Sequence, residues 1–250
     1  MFIYINIPLV SVAYLYSYLL SPDPGFIYLT LFTALRNLVL VEILKNATRL
    51  KDVIHSGQQS PEGYFLPAIL QASAIEAAAI PFVPLTMTMN PYVWLTFIPM
   101  SFMFEVVFDF FHYWVHRSLH YSALPWHKAH HTYVHLTPAI AFYQDWADLI
   151  LANVIPFFLA NRIVQTVWGP LTAMELSLLL TYKIFVELSG HAGRRLRPSS
   201  SFPQCVWLPR ALGIELYAED HALHHTNPGC NFAKRFALWD KVFGTYHATV

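Results

Sequence analysis

Thirteen histidines occur in the 250 residues, and most of them fall in three short clusters. The first cluster runs from His112 through His116 to His120 at intervals of four residues. The second and third share the pattern His-x-x-His-His and begin at His127 and His221. Intervals of three and four residues bring side chains to one side of a helical turn, so each cluster can present several ring nitrogens together. Because imidazole is a ligand of zinc, copper, iron and nickel, the clusters predict a metal site.

The clusters offer more imidazoles than one ion can bind, since zinc, for example, usually takes four ligands. We therefore expect a centre with two ions. The clusters contain no cysteine, which disfavours an iron–sulfur cluster. Asp109, Glu187 and Asp220 lie beside the histidines, and we expect them to accept the second ring N–H of a ligand histidine and so fix its tautomer. Glu219 is expected at a solvated helix end.

The remaining histidines are interpreted individually. His191 follows the last apolar stretch and is expected on the same face as the clusters. For His120 and His135 three roles stay open, namely metal ligand, hydrogen-bond partner of a ligand, and surface residue. His55 and His247 are expected in solvated loops.

The composition is that of a membrane protein. Hydrophobic residues make up 56% and charged residues 12%, whereas soluble chains carry roughly 25% charged residues. The mean hydropathy is +0.41. These values disfavour a soluble cytoplasmic enzyme. The formal net charge is zero, so the sequence offers no basic surface for nucleic acid.

Six stretches approach the roughly 20 apolar residues that a membrane-spanning helix needs. They are 2–20, 26–44, 64–88, 92–111, 138–160 and 164–186. We expect an all-α integral membrane protein, in which a bundle of four to six transmembrane helices carries a cytosolic, histidine-rich helical cap. The last three stretches are the best defined, and Asn161-Arg162 is expected to form the tight turn between the final two. The stretch 64–88 is the weakest, because it contains Gln71, Glu76, Pro81 and Pro84. Met1–Leu20 has no basic segment before its apolar run and is expected to be a retained helix.

Basic residues predict the orientation. All 15 lysines and arginines except Arg36, Arg162 and Lys183 lie in the loop 45–63, the segment 112–137 or the tail after residue 186. Because positive loops stay in the cytosol, the clusters and both termini are expected there. An even number of crossings between the second and third clusters then returns them to the same end of the bundle.

The motifs between Asp109 and Thr245 form one ordered pattern. The first half of the pattern is Asp109, His112, His116-Arg117, His120 and then His127-Lys128-Ala129-His130-His131. The second half is His221-Ala222-Leu223-His224-His225, Asn231-Phe232 and Trp239-Asp240-Lys241-Val242-Phe243-Gly244-Thr245. In order and spacing, this region resembles the fatty acid hydroxylase/sterol desaturase superfamily. The resemblance implies a single membrane domain over 1–250, with hydrophobic helices without a motif in 1–99 and a catalytic region in 100–250.

The resemblance also implies an activity and a ligand set. Members are membrane oxygenases of the endoplasmic reticulum that use O2 and electrons, often from cytochrome b5, at a non-haem di-iron centre. The expected reaction is hydroxylation of a lipid, sterol or terpenoid-like substrate, with desaturation and aldehyde deformylation left open on the same scaffold. Zinc could occupy the centre in isolated samples. The implied ligands are His112, His116, His127, His130, His131, His191, His221, His224 and His225.

Three positions depart from the family pattern. Glu187 stands where some members have a second histidine, so it could ligate as a carboxylate or leave the site one ligand short. The stretch 143–148 replaces a His-Pro-x-Glu-like element, and Ala233 stands where glycine is usual. These departures imply a divergent member.

Two other classes of membrane protein also use histidines. A zinc or proton-coupled transporter would place histidines and acids along a path through the membrane. The second and third clusters lie in polar segments outside the predicted spans, which disfavours transport. A haem protein needs axial histidines on facing helices, whereas these histidines occur in threes at helix ends.

Overall fold

Helices form almost all of the regular structure in the described part of the chain. The computed structural model describes residues 2–20, 25–54, 65–87, 90–122, 124–133, 135–196 and 201–249, so His55 lies outside it. The α-helices are α1 (Phe2–Leu19), α2 (Phe26–Thr48), α3 (Phe65–Ala79), α4 (Val93–Tyr121), α5 (Trp146–Leu149), α6 (Ile155–Trp168), α7 (Ala173–Gly190), α8 (Leu208–Ala211), α9 (Ala218–Thr226) and α10 (Leu238–Val242). Short 3-10 turns occupy Ile80–Phe82, Trp126–Lys128, His130–Thr132 and Pro138–Phe142, and a π-turn occupies Ile150–Val154. Strands β1 (Leu85–Thr86) and β2 (Leu171–Thr172) pair in parallel.

Among the described residues, four helical segments are long and apolar enough to cross a membrane. They are Phe26–Thr48, Phe65–Phe82, Val93–Tyr121 and Trp146–Trp168. This finding confirms the all-α membrane architecture. One of the four, Phe65–Phe82, lies in the stretch 64–88, which was the weakest candidate in the sequence. Helix α7 is not among the four, although 164–186 was one of the best-defined stretches, because it carries Glu175, Lys183 and Glu187. Thirteen of the 18 residues of α7 are buried and none is exposed, so protein rather than lipid surrounds most of it.

The turn predicted at Asn161-Arg162 was wrong. Both residues lie inside α6, where Asn161 is buried. The helix ends instead after Trp168, at Gly169, whose φ is +82°. Glycine adopts this left-handed conformation without strain, and the following Pro170 cannot continue a helix, so the Gly-Pro pair stops α6.

The π-turn at Ile150–Val154 has a cause in the sequence. Pro156 has no N–H, so the carbonyl of Ala152, four residues earlier, loses its usual helical donor. The backbone bonds in this turn span five residues instead of four. The carbonyl of Ala152 accepts the Nδ1–H of His112 at 2.7 Å. One proline thereby helps to orient a histidine on a different helix.

The C-terminal segment is fastened to α4 through a buried carboxylate. Asp109 accepts the backbone N–H groups of Lys234, Arg235 and Phe236 at 2.7, 3.0 and 3.0 Å. The indole N–H of Trp239 donates to a backbone carbonyl of α4 at 3.0 Å. These contacts hold the segment beside the histidines of the first cluster.

Gly193 lies in the loop after α7, where a side chain has no room. Its φ is +62°, and a Cβ atom there would lie 2.0 Å from the carbonyl oxygen of Leu136. We expect Gly193→Ala to lower the free energy of unfolding by about 2 kcal/mol or more, because backbone strain adds to overpacking.

The matched control is Gly213→Ala. Gly213 has a φ of +65°, and no atom lies within 4 Å of the added Cβ. This change introduces the backbone strain without the steric clash and should lower the free energy of unfolding by about 1 kcal/mol. Thermal unfolding of the purified variants in detergent compares them, and equal losses would contradict the clash at Gly193.

Candidate metal centre

Histidines from all three clusters meet beside the C-terminal ends of α4 and α7, in two groups. Within each group, one ring nitrogen per residue lies within 4.8 Å of the others. The five-histidine group is His116, His120, His127, His131 and His224. The four-histidine group is His130, His191, His221 and His225. The rings of His131 and His225 stack with centroids 4.4 Å apart, so the two groups are neighbours.

Ring protons in the five-histidine group face away from its centre. The Nδ1–H of His116 donates to the carbonyl of Phe232 at 2.7 Å, and that of His224 to the carbonyl of Cys230 at 2.6 Å. A neutral imidazole carries one ring proton, so Nε2 of both residues is a lone-pair acceptor. These two Nε2 atoms are 3.0 Å apart. Lone pairs this close repel each other unless a cation offsets the repulsion, so the group fits a metal ion.

Asp148 holds a third ring proton of this group. Its Oδ2 atom lies 2.9 Å from Nδ1 of His127, and the carboxylate is buried. Nε2 of His127 then faces Nε2 of His116 at 2.8 Å. Asp148 was not among the acids expected to hold a histidine ring proton. The available signal was a carboxylate inside the apolar stretch 138–160, a position that membrane proteins seldom use without a function.

We expect the Asp148→Ala variant to bind metal about 10–100-fold more weakly, the usual cost of losing the partner that orients a ligand histidine. Titration of the purified protein with metal measures this change. Asp145→Ala is the matched control, because Asp145 caps α5 through the N–H of Ala147 and touches no histidine among the described residues. Equal metal affinity in both variants would contradict the role of Asp148.

In the four-histidine group, too, a ring proton faces outward and Nε2 atoms face one another. The Nδ1–H of His191 donates to the carbonyl of Glu187 at 2.9 Å. Its Nε2 atom lies 3.0 Å from Nε2 of His130 and 3.0 Å from Nε2 of His221. Burial lowers the pKa of His191 to about 4 and holds the pKa of His225 well below its ordinary value. These rings are therefore neutral near pH 7 and offer lone pairs to a cation.

The five-histidine group includes His120, and neither group includes His112. The ring centroid of His112 nevertheless lies 5.0 Å from that of His116. Its Nε2 atom is buried and has no hydrogen-bond partner among the described residues. His120, whose role the sequence left open, belongs to the five-histidine group, with Nε2 3.1 Å from that of His224.

Two further histidines lie outside the groups. His135 is half-buried, and its role stays open. His247 is exposed, as expected for a loop residue. Its backbone N–H and carbonyl bond to the side chain of Asn231, so its backbone rather than its ring contributes to the fold.

The acids chosen from the sequence have partners other than histidine rings. Asp109 accepts the three backbone N–H groups described above. Asp220 accepts the N–H of Tyr217 at 3.1 Å and the hydroxyl of Thr249 at 2.8 Å. Glu219 is buried rather than solvated, and it faces a backbone N–H at 3.4 Å. Buried loops carry many N–H groups that need acceptors, and these carboxylates supply them.

Glu187 is engaged by cations. Its carboxylate forms ion pairs with Lys234 and Arg235. Arg235 is fully buried and also lies 3.1 Å from the carboxylate of Glu105. The Glu187 carboxylate belongs to neither histidine group. The backbone carbonyl of Glu187, in contrast, accepts the ring proton of His191 and so orients that ring.

A cavity of about 710 Å³, including its open mouth, lies between α2, α3, α6 and α7. Its wall is mostly apolar, with Ile75 on α3, Phe157 on α6 and Leu180 on α7. Several lining residues adjoin or include the groups that accept histidine ring protons, namely the carbonyls of Tyr143, Ala152 and Glu187 and the carboxylate of Asp148. These lining residues are Phe142, Gln144, Leu149, Asn153 and Glu187. An apolar molecule in the cavity would therefore reach the immediate surroundings of the histidines.

Comparison with known proteins agrees with this geometry. The family model described as fatty acid hydroxylase matches residues 100–245. The chain is 29% identical over 154 residues to a fatty acid hydroxylase of Lecanicillium sp, covering 57% of this chain and 40% of the relative. It is 28% identical over 210 residues to the C-4 methylsterol oxidase of Schizosaccharomyces pombe, covering 80% and 62%. It is 30% identical over 147 residues to a cholesterol 25-hydroxylase-like protein of Danio rerio, covering 57% and 53%.

The matches show the family of this chain but do not show that it shares the activity of any one relative. The chain spans between 40% and 62% of the length of these three proteins. No solved structure matches it significantly. The matched region 100–245 makes up more than half of the chain and contains every histidine of both groups. This chain therefore belongs to the fatty acid hydroxylase family.

Proposed function

We propose that this chain is a membrane-bound, O2-dependent oxidoreductase that hydroxylates a lipid, sterol or terpenoid-like substrate at a non-haem di-iron centre. One observation carries the proposal. Two neighbouring groups of buried and half-buried histidines direct unprotonated Nε2 atoms at one another, beside a largely apolar cavity. The names of the relatives, which include hydroxylases and a methylsterol oxidase, support oxidation of a lipid.

The proposed ligands are the five-histidine and four-histidine groups. His112 stays in the proposed set because its Nε2 atom is buried and finds no hydrogen-bond partner in the part of the chain that the structure describes. Imidazole ligands suit iron as well as zinc, so zinc could replace iron in isolated samples. Bound there, an iron pair would supply the activation of O2 and the abstraction of hydrogen from a C–H bond.

The chain itself contributes orientation and exclusion of water. Carbonyl oxygens and the Asp148 carboxylate hold the Nδ1 protons, which keeps the Nε2 lone pairs directed inward. The salt bridges of Glu187 keep this acid away from the ligand positions. The apolar cavity keeps the substrate chain out of water next to the histidines.

Location and partners follow from the same proposal. Residues 1–250 form one membrane domain, in which helices from 1–99 line the cavity and 100–250 carries the catalytic residues. The distribution of lysine and arginine supports a cytosolic position for the histidines and both termini. Residence in the endoplasmic reticulum and electrons from cytochrome b5 or a similar donor fit such a position.

Lipid profiling tests the proposal. The chain is expressed in microsomes, and untargeted lipid and sterol profiles are compared with those of a His130→Ala variant. We expect a product one oxygen heavier than its precursor in the wild-type sample alone. A product two hydrogens lighter identifies a desaturase, and a chain one carbon shorter identifies deformylation. Identical profiles, with both proteins folded and the wild type loaded with metal, would contradict oxidation of a lipid.

A further inference from the structure

One charged side chain on the cavity wall lacks an ion pair. The charged residues that line the cavity are Glu76, Lys183 and Glu187. Glu76 is paired with Arg36 at 2.7 Å, and Glu187 is paired with two cations of the C-terminal segment. Among the described residues, no carboxylate lies within 4.0 Å of the Lys183 ammonium. Lys183 is therefore the charge on this wall that the protein does not neutralise by direct contact.

The surroundings of Lys183 leave hydrogen-bonding capacity unused. The residue is only 5% exposed. Its ammonium carries three donors, and it makes one long bond, to Oδ1 of Asn153 at 3.3 Å. The ring of Phe108 lies 4.8 Å away and adds an attraction of the cation–π type. A buried cation with so few partners is unfavourable, and membrane proteins usually keep such a charge for a ligand or a transported species.

Lys183 lies between the histidines and the apolar part of the cavity. It precedes His191 by eight residues, which is about 12 Å along the axis of α7. One turn before it on the same wall is Leu180, and one turn after it is Glu187. A ligand atom bound to Lys183 would thus lie within the cavity, with the histidines to one side and apolar wall to the other.

We propose that the Lys183 ammonium binds the carboxylate or carbonyl oxygen of an acyl-chain substrate. The inference rests on the proposed function, since it names the part of the substrate that this cavity recognises. A carboxylate would supply the missing ion pair, and a carbonyl oxygen would accept one of the unused donors. A hydrocarbon of the same length offers neither. The oxygen would fix how far the chain extends toward the histidines and so which carbon reacts.

A series of 16-carbon probes tests the inference. Palmitate, methyl palmitate and hexadecane are titrated into the purified, metal-loaded protein in detergent, and the thermal unfolding midpoint reports binding. We expect at least one oxygen-bearing probe to bind about tenfold or more tightly than hexadecane, the usual contribution of a hydrogen bond to a charged group. Preference for palmitate over the ester identifies the carboxylate as the ligand, and equal binding identifies the carbonyl.

The Lys183→Met variant keeps the length of the side chain and removes its charge. It should lose the preference for oxygen-bearing probes, and without a probe it should unfold at the wild-type temperature or higher, because an unpaired buried charge is removed. Lys241→Met is the matched control, because Lys241 is exposed, contacts Gly213 and the ring of Tyr246, and is not part of the cavity wall. This control should keep the preference.

Three results would overturn the inference. They are equal binding of all probes to the wild type, an unchanged preference in Lys183→Met, and destabilisation of Lys183→Met without a probe. Metal content and product formation are measured on the same preparations. If metal and products persist while the preference is absent, only this inference fails. If the preference persists while metal and products are absent, only the proposed oxidation fails.

Discussion

The His224→Ala variant is expected to lose more than about 100-fold in product formation, together with the metal of the five-histidine group. Loss of a residue that merely orients a ligand costs 10–100-fold, and loss of a ligand should cost more. His224 is fully buried, and its Nε2 atom lies 3.0 Å from that of His116 and 3.1 Å from that of His120. The measurements are product yield in microsomes and metal per chain in purified protein.

His247→Ala is the control for this variant, because His247 is exposed and its ring contacts none of the described histidines of the two groups. It should retain metal and activity. The four-histidine group in His224→Ala keeps all of its own members, so part of the metal should remain. Full activity of His224→Ala with reduced metal would contradict a catalytic centre that needs both groups.

The Asp109→Ala variant is expected to lose about 3 kcal/mol or more of unfolding free energy. The carboxylate accepts three buried backbone N–H groups, and each would be left without an acceptor. Those N–H groups belong to the segment that follows Phe232, whose carbonyl orients His116. The variant should therefore also bind metal less tightly.

Denaturant or thermal unfolding of the purified variant measures the stability. Glu42→Ala is the matched control, because Glu42 is largely exposed and contacts Lys45 at 3.5 Å, a surface pair of small energy. Its unfolding midpoint should stay close to that of the wild type. Equal midpoints for the Asp109 and Glu42 variants would show that Asp109 does not fasten the C-terminal segment.

Much of the architecture is predictable because local patterns specify it. Long apolar stretches predict membrane helices, and the described chain contains four that qualify. Spacings of three and four residues bring His221, His224 and His225 to one side of α9. The turn predicted between the last two apolar stretches was wrong because the polar pair Asn161-Arg162 stays inside α6, and Gly169 and Pro170 stop this helix instead.

The partners of the histidines were less predictable because they are distant in sequence. The ring protons of His112 and His116 are held by carbonyls 40 and 116 residues away. Every residue has a carbonyl, so no residue type marks these acceptors. For the same reason the sequence left the role of His120 open. The carboxylates looked like natural partners for imidazole, but buried backbone N–H groups hold Asp109 and Asp220 instead.

Counting the metal in active protein tests the central claim most directly. The wild type is purified in detergent from cells supplied with iron, and iron per chain is measured beside the visible spectrum and the activity. The two histidine groups predict two iron ions per chain and no Soret band of haem. Active protein with no bound metal, or with a haem spectrum, would contradict a paired metal centre held by these histidines.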